Sequence, residues 1–271
     1  MKLGYRILNV FTVDGDRLSG NPLCVFEDAT GLSTEHMQAL ARQLNLSETT
    51  FITGTRVRIF TPSFEMPFAG HPTLGTAHVM RALRGGDRQV LEENVGPVEV
   101  TADGDRWTLR AAKAPITRPA ASRELLSEML GGVAIVGEPL WVNTGAEQLV
   151  IPLASADDVR KAKPNPALLV KHAMGSNEAM AYVWAREADH VLVRFFFDQH
   201  GAVVEDPATG SACANLGGYL LATGAALPVR EVLHQGVAVR RPSHLGLRVD
   251  ADRQIYVSGN VVELGAGSFD V

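Results

Sequence analysis

Two short stretches of this chain carry residues that could bind a small acid and move a proton. Glu65-Met66-Pro67-Phe68-Ala69-Gly70-His71 and Glu205-Asp206-Pro207-Ala208-Thr209-Gly210-Ser211 share the pattern Glu-x-Pro-x-(Ala/Thr)-Gly. If a helix begins at Gly70 and at Gly210, its unpaired N–H groups and positive dipole end suit a carboxylate. The alternative is that both glycines only permit tight turns. The pattern therefore indicates two candidate anion-binding helix starts.

The segments that follow these glycines are unusually free of charge. Met66 to Met80 and Pro207 to Val229 contain no Asp, Glu, Lys or Arg. The longer segment is not a membrane span, because Pro, Gly, Ser and Asn residues interrupt its apolar surface. A helix without a charged face must be surrounded by protein. We therefore predict two buried central helices, at about 71–84 and about 211–223.

Strand-like runs flank each predicted central helix in the same order, which predicts an internal duplication of one unit. The predicted halves are residues 1–115 and 130–271, and it stays open whether the last strand crosses back to the first half. The polar segment from Lys113 to Gly137 is predicted to be a linker that carries a short helix at Ser122 to Leu130. An amphipathic helix capped by Ser33 is predicted between two strands of the first half.

Composition narrows the range of partners. The 271 residues carry a net charge of −5, which gives no electrostatic reason to bind nucleic acid or an anionic membrane. Two cysteines are too few for a disulfide scaffold, and the first residues lack the apolar core of a signal peptide. We expect a cytoplasmic protein. No spacing of His, Cys, Asp and Glu predicts a structural metal site.

Glu48 is an acidic residue beside an apolar run. It lies between a helix that ends near Asn45 and the apolar run Thr49-Thr50-Phe51-Ile52. A carboxylate beside buried apolar residues has a raised pKa, which allows it to take and give a proton near neutral pH. The alternative is a solvated glutamate in a turn.

The chain resembles the phenazine biosynthesis PhzF-like family, within the diaminopimelate epimerase fold. The resemblance rests on Gly20-Asn21-Pro22, Ser47-Glu48-Thr49, Phe64 to Thr73 and Glu205 to Ala212, which occur in the family's order. It implies an α+β fold of two pseudo-symmetric halves, each a β-barrel-like sheet wrapped around a central buried helix. It also implies a cofactor-free isomerase site in the cleft between the halves, often in a homodimer.

The resemblance implies roles for individual residues. Glu48 would be the general acid and base, and His71 would be its hydrogen-bonding or protonic partner. Asp206 would orient the substrate or pair with His71, or else cap the following helix. The remaining residues are implied to bind a carboxylate-bearing substrate: Asn21, Gly70, Thr209, Gly210 and Ser211.

Related epimerases and racemases use two cysteines, one before each helix glycine. Ala69 and Thr209 occupy these positions here and cannot do acid–base work. Cys24 and Cys213 lie elsewhere and are predicted to fill the core. The leading hypothesis is therefore an isomerase that moves a proton within a small carboxylate substrate, such as a dihydro-hydroxyanthranilate. The alternatives are an amino-acid epimerase or racemase that uses Glu48 as one base, and a non-catalytic protein that binds a metabolite or a protein partner.

Overall fold

The computed structural model describes residues 2–111, 114–176 and 178–271. The chain divides into two compact units. Unit 1 comprises Met1–Arg110 together with Ser258–Val271, and unit 2 comprises Ala111–Val257.

The helices and strands follow one another in a similar order in both units. The first series is β1 Lys2–Thr12, β2 Asn21–Phe26, α1 Thr34–Leu44, β3 Thr49–Thr53, β4 Arg56–Phe60, β5 Glu65–Met66, α2 Gly70–Arg84, β6 Arg88–Glu93, β7 Gly96–Asp103 and β8 Arg106–Arg110. The second series is β9 Ile116–Pro119, α3 Arg123–Met129, β10 Leu140–Asn143, β11 Glu147–Pro152, α4 Ala156–Lys161, α5 Pro166–His172, β12 Met180–Glu187, β13 His190–Gln199, β14 Ala202–Asp206, α6 Gly210–Ala222, β15 Val229–Gln235 and β16 Ser243–Val249. The last strand is β17, Ile255–Asp270.

Strand pairing closes a barrel in unit 1. β1 pairs with β2, β2 runs parallel to β3, and β3 pairs antiparallel with β4. β4 runs parallel to β6, and β6, β7 and β8 form a meander. The ring closes because β17 pairs with both β8 and β1. The predicted α+β fold with a closed barrel is confirmed.

Helix α2 is the central helix of unit 1. It packs against β1, β2, β3, β6, β7 and β8, and most of its residues are buried. Close packing requires a glycine at its centre, because a Cβ added at Gly75 would lie 2.5 Å from Leu23 Cδ2 and 3.0 Å from Val10 Cγ2. A helix enclosed on all sides needs no charged face, which explains the uncharged sequence.

Unit 2 surrounds α6 in a similar way. β9, β10 and β11 pair antiparallel, β11 runs parallel to β12, and β13 pairs with β12, β14 and β15. α6 packs against β9, β10, β11 and β16. A Cβ at Gly217 would lie 2.9 Å from Ile255 Cγ2, so this helix also approaches its strands through a small residue.

The glutamate that opens each repeated motif forms the same contact in its own unit. Glu65 accepts two hydrogen bonds from Arg58, whose guanidinium lies 5.0 Å from the centre of the Phe60 ring. In unit 2 Glu205 accepts from Arg194, which lies 4.6 Å from the centre of the Phe196 ring. The repeated glutamates therefore fix the short strand before each central helix and are structural.

The short helix predicted at Ser122 to Leu130 is confirmed by α3, which Ser122 caps. The prediction that the surrounding segment is a linker is wrong for its described part. Its first residue, Lys113, lies outside the described residues, but the segment then contains β9 and α3. The side chains of α3 and the turn after it join the core of unit 2: Leu126, Met129, Leu130 and Val133. These apolar residues are spaced among polar ones, which conceals a buried segment. No helix in the described part of the chain is long and apolar enough to cross a membrane.

Candidate active site

Glu48 is positioned by the turn between α1 and β3. α1 ends at Asn45, whose left-handed φ of 51° turns the chain, and β3 begins directly after Glu48. The Glu48 side chain is 16% exposed. Burial raises its pKa to about 7, and hydrogen bonding by Ser47 lowers the pKa by less. This carboxyl can therefore both accept and release a proton near neutral pH.

His71 contacts the Glu48 carboxyl. Its Nδ1 lies 3.2 Å from Glu48 Oε2, and its side chain is 4% exposed. His71 is the second residue of α2, after Gly70 and the extended Ala69. The first turn of α2 contains no acidic residue, so its positive dipole end is not neutralised within the helix. Unit 1 thus places an imidazole and a carboxyl in close contact at the start of its central helix.

Asn21 adjoins this pair through Ser47. Asn21 is buried at the start of β2, and the Ser47 hydroxyl donates to its Oδ1 over 3.1 Å. Gly20 precedes it with a φ of 80°, and a Cβ there would lie 2.5 Å from the Val10 carbonyl oxygen. A glycine is therefore needed to bring Asn21 to this position.

In unit 2 the residues before α6 form a separate hydrogen-bonded group. The Thr209 hydroxyl donates to Asp206 Oδ2 over 2.5 Å. Gln235 is fully buried, and its Nε2 donates to the Asp206 carbonyl and to Thr209 Oγ1, each over 2.9 Å. Its Oε1 accepts from the Thr209 backbone N–H. Gln235 therefore holds the turn that leads into α6.

Ser211 is held by a polar chain that runs into the core of unit 2. Its hydroxyl accepts from Gln148 Nε2 over 2.9 Å. Gln148 Oε1 in turn accepts from Asn215 Nδ2 over 2.8 Å. Asn215 is fully buried and also accepts from the backbone and the hydroxyl of Thr144. The first two turns of α6 are thus fixed by side chains of neighbouring strands.

The cysteines take no part in these groups. Both are buried and free, and burial raises the pKa of Cys24 to about 12 and that of Cys213 further. A thiol with so high a pKa is not a nucleophile or a base at neutral pH. Ala69 and Thr209 directly precede the two central helices. Within the described residues no group of three or more His, Cys, Asp or Glu could hold a metal ion.

The structure brings together Glu48 and His71, with Asn21 adjoining through Ser47, and it joins Asp206 to Thr209. The pairing of Asp206 with His71 stays a prediction. Asp206 receives its hydrogen bond from a hydroxyl at the helix start. Sequence reasoning missed the positioning partners Gln235, Gln148 and Asn215. These are buried polar residues with apolar neighbours, and that pattern is the signal by which the sequence could indicate them.

Comparison with known proteins gives consistent matches along the whole chain. The family model described as phenazine biosynthesis-like protein, PhzC-PhzF, matches residues 8–267. An uncharacterized isomerase from Pasteurella multocida is 37% identical, over 98% of this chain and 94% of the relative. The trans-2,3-dihydro-3-hydroxyanthranilate isomerase of Pseudomonas chlororaphis is 35% identical, over 93% of this chain and 94% of its own.

A solved structure shows the same fold at lower identity. The phenazine biosynthesis protein of the PhzF family from Bacillus anthracis superposes with a TM-score of 0.85 and covers 100% of both chains at 22% identity. The family resemblance found in the sequence motifs is confirmed by these matches.

Proposed function

The chain is an isomerase of the phenazine biosynthesis-like family, and we propose that it moves a proton within a small carboxylate-bearing substrate without a cofactor. In this proposal Glu48 is the general acid and base, and His71 is its partner. The observation that carries the proposal is the buried contact of 3.2 Å between His71 Nδ1 and Glu48 Oε2. The raised pKa of Glu48, about 7, supports it, because general acid–base catalysis works best when the pKa lies near the working pH.

The proposed step conserves atoms and electrons within the substrate. The Glu48 carboxylate takes a proton from one carbon, and the electron pair of that C–H bond enters the substrate's conjugated system. Glu48 then returns the proton to a second carbon, where a new C–H bond forms. One carboxyl group suffices for both transfers, because the substrate is held while a single face is presented to it. His71 Nδ1, which lies 3.2 Å from Glu48 Oε2, assists these transfers as the neighbouring polar group.

No thiol directly precedes either central helix, so the proposed chemistry differs from a proton transfer that uses two opposed bases. Ala69 cannot titrate, and the Thr209 hydroxyl is engaged by Asp206. A conjugated cyclic acid suits transfer by one base, because removal and return of the proton take place on one face. We therefore propose a cyclic diene amino acid as substrate, of the kind named for the relative from Pseudomonas chlororaphis.

We propose that the remaining predicted residues bind the substrate, and we argue this from the contacts within each unit. Asn21 and the Gly70 amide lie beside the Glu48–His71 pair in unit 1. In unit 2 the start of α6 has no acidic residue in its first turn and offers Thr209, the Gly210 amide and Ser211 to an anion. Asp206 is proposed to contact the substrate's polar groups. A cytoplasmic homodimer stays a prediction.

The test is an isomerase assay in D₂O with trans-2,3-dihydro-3-hydroxyanthranilate. We compare the parent protein with Glu48→Gln and with Glu128→Gln, which changes an exposed glutamate of α3. Glu48→Gln is expected to lower kcat about 10² to 10⁴-fold, the usual contribution of a general acid–base group, and Glu128→Gln is expected to leave it unchanged.

Two results would contradict the proposal. Full turnover by Glu48→Gln would remove Glu48 from the chemistry. Deuterium incorporated at one α-carbon of an amino acid, with no change of its double bonds, would indicate an epimerase instead.

A further inference from the structure

Glu93 is a buried carboxyl that the proposed reaction does not use. It is the last residue of β6, where alternate residues face the interior, and it is 7% exposed. Its Oε1 lies 2.7 Å from Thr73 Oγ1. No group in the described part of the chain offers a hydrogen bond to its Oε2, which is also buried. A carboxylate with one oxygen unpaired and buried is unfavourable, so its surroundings favour the neutral acid.

The hydrogen bonds of Thr73 identify the same protonation state. Thr73 Oγ1 lies 2.7 Å from the Ala69 carbonyl oxygen and 2.7 Å from Glu93 Oε1. A hydroxyl has one hydrogen, and a carbonyl oxygen can only accept. When the hydroxyl hydrogen is directed to the Ala69 carbonyl, the 2.7 Å contact with Glu93 Oε1 is a hydrogen bond only if the protonated acid donates to Thr73.

This relay ends at Ala69, the residue directly before α2. The Thr73 backbone N–H also donates to the Ala69 carbonyl, over 3.2 Å. The two bonds to Ala69 fix the turn that contains Gly70 and His71. His71 in turn reaches Glu48 over 3.2 Å.

We propose that Glu93 is a positioning residue which, as a neutral acid, donates a hydrogen bond to Thr73 and thereby holds His71 against Glu48. The catalytic consequence rests on the proposed function, but the hydrogen-bond relay does not. Burial raises the pKa of Glu93 to about 8. Above that pH the carboxylate can no longer donate, so the relay breaks and activity falls.

Two arginines on the strands around Glu93 form ion pairs with other glutamates. Arg58 of β4 pairs with Glu65 of β5, and Arg88 of β6 pairs with Glu99 of β7. The remaining titratable residues on the packed elements are Arg56 of β4, Glu92 of β6, Asp103 of β7, and His71, His78, Arg81 and Arg84 of α2. The strand residues among these are exposed or half-buried, unlike Glu93.

The experiment compares three variants. Glu93→Gln keeps a neutral donor for Thr73, Glu93→Leu removes it, and Glu92→Gln changes the exposed neighbour as a matched control. Two readouts need no substrate: the infrared band of a protonated carboxyl, and the ¹⁵N chemical shifts of the His71 ring. The third is the pH profile of kcat and KM in the isomerase assay.

Because Glu48 also holds a proton near neutral pH, the Glu93 band is taken from the difference between the spectra with and without Glu93→Gln. We expect this difference band for the parent protein and for Glu92→Gln, and we expect it to disappear as pH rises through about 8. The His71 shifts should be kept in Glu93→Gln and altered in Glu93→Leu. Glu93→Leu should lower kcat by about tenfold or more with little change in KM, because a misplaced catalytic pair slows the step itself. Glu93→Gln should retain kcat within about threefold, as one neutral donor replaces another, and should lose the decline near pH 8.

Two results overturn the proposal: a carboxylate band for Glu93 at neutral pH, or His71 shifts in Glu93→Gln that match those in Glu93→Leu. If the parent protein does not turn over the substrate, the proposed function fails, whereas the infrared and ¹⁵N readouts still decide the relay.

Discussion

Replacing Glu48 by glutamine should stabilise the protein at alkaline pH. Burial raises the pKa of Glu48 from its ordinary 4.5 to about 7. Between these two values the unfolded chain releases this proton while the folded protein retains it, so stability falls as pH rises. Glutamine cannot ionise, and the variant escapes this loss. A residue kept for proton transfer thus destabilises the fold that contains it.

The structure gives the size of the effect. The interval from 4.5 to about 7 corresponds to about 3 kcal/mol, at about 1.36 kcal/mol for each pKa unit. Because 16% of the Glu48 side chain remains exposed, water screens part of this penalty, and we expect about 2 to 3 kcal/mol. The full difference applies above the folded pKa. Below 4.5 the carboxyl is protonated in both states, and the difference vanishes.

Urea-induced unfolding measures this directly. The parent protein, Glu48→Gln and Glu128→Gln are unfolded at about pH 4 and about pH 8, on either side of the interval in which the linkage acts. Glu48→Gln should match the parent at the lower pH and exceed its stability at the higher one. Glu128→Gln, on the exposed side of α3, should follow the parent at both. Equal stability of Glu48→Gln and the parent at about pH 8 would refute the argument, since burial would then impose no penalty on the ionised carboxyl.

Two further predictions concern unit 2. Asn215→Ala breaks four hydrogen bonds, three of them buried, and should lower the free energy of unfolding by about 3 to 5 kcal/mol in urea titrations. A loss below about 1 kcal/mol would show that the network is not coupled. His234 stacks between His190 and His244. Burial is the largest cause that lowers the pKa of His234 from 6.5 to about 4, and the charges of these two neighbours lower it further. Its neutral form is favoured in the fold, so the stability it contributes is present above 6.5 and lost as pH falls towards 4; thermal unfolding of His234→Gln should show a weaker dependence on pH in that range, and an unchanged dependence would contradict this.

Local features of the fold could be predicted from the sequence. Ser33, followed by apolar residues at helical spacing, predicts α1, and the helix begins at Thr34 with Ser33 as its cap. The uncharged segments predict buried helices because composition reports directly on the surroundings of a helix. The segment between β9 and β10 is harder to interpret, since α3 contributes only a few apolar residues to the core.

The supporting contacts of the site could not be predicted, because they join residues far apart in the chain. The position of Glu48 beside an apolar strand indicates a raised pKa, but nothing in its spacing to His71 indicates contact. Glu93 is less predictable still, since an acidic residue at a strand end normally faces water. Only the pairing of β6 with its neighbours, and the packing of α2 against it, place this residue inside.

The course of β17 has a consequence for how the protein is made. Its residues from Ser258 onward belong to unit 1, where they pair with β1 and complete the barrel. The ribosome reaches them only after it has synthesised all of unit 2. Until then β1 and β8 are unpaired edges of a sheet around an apolar helix, and such edges are prone to association with other chains. Most of unit 1 is therefore translated before unit 2 and completed only after it, and its open barrel must be protected while unit 2 is synthesised.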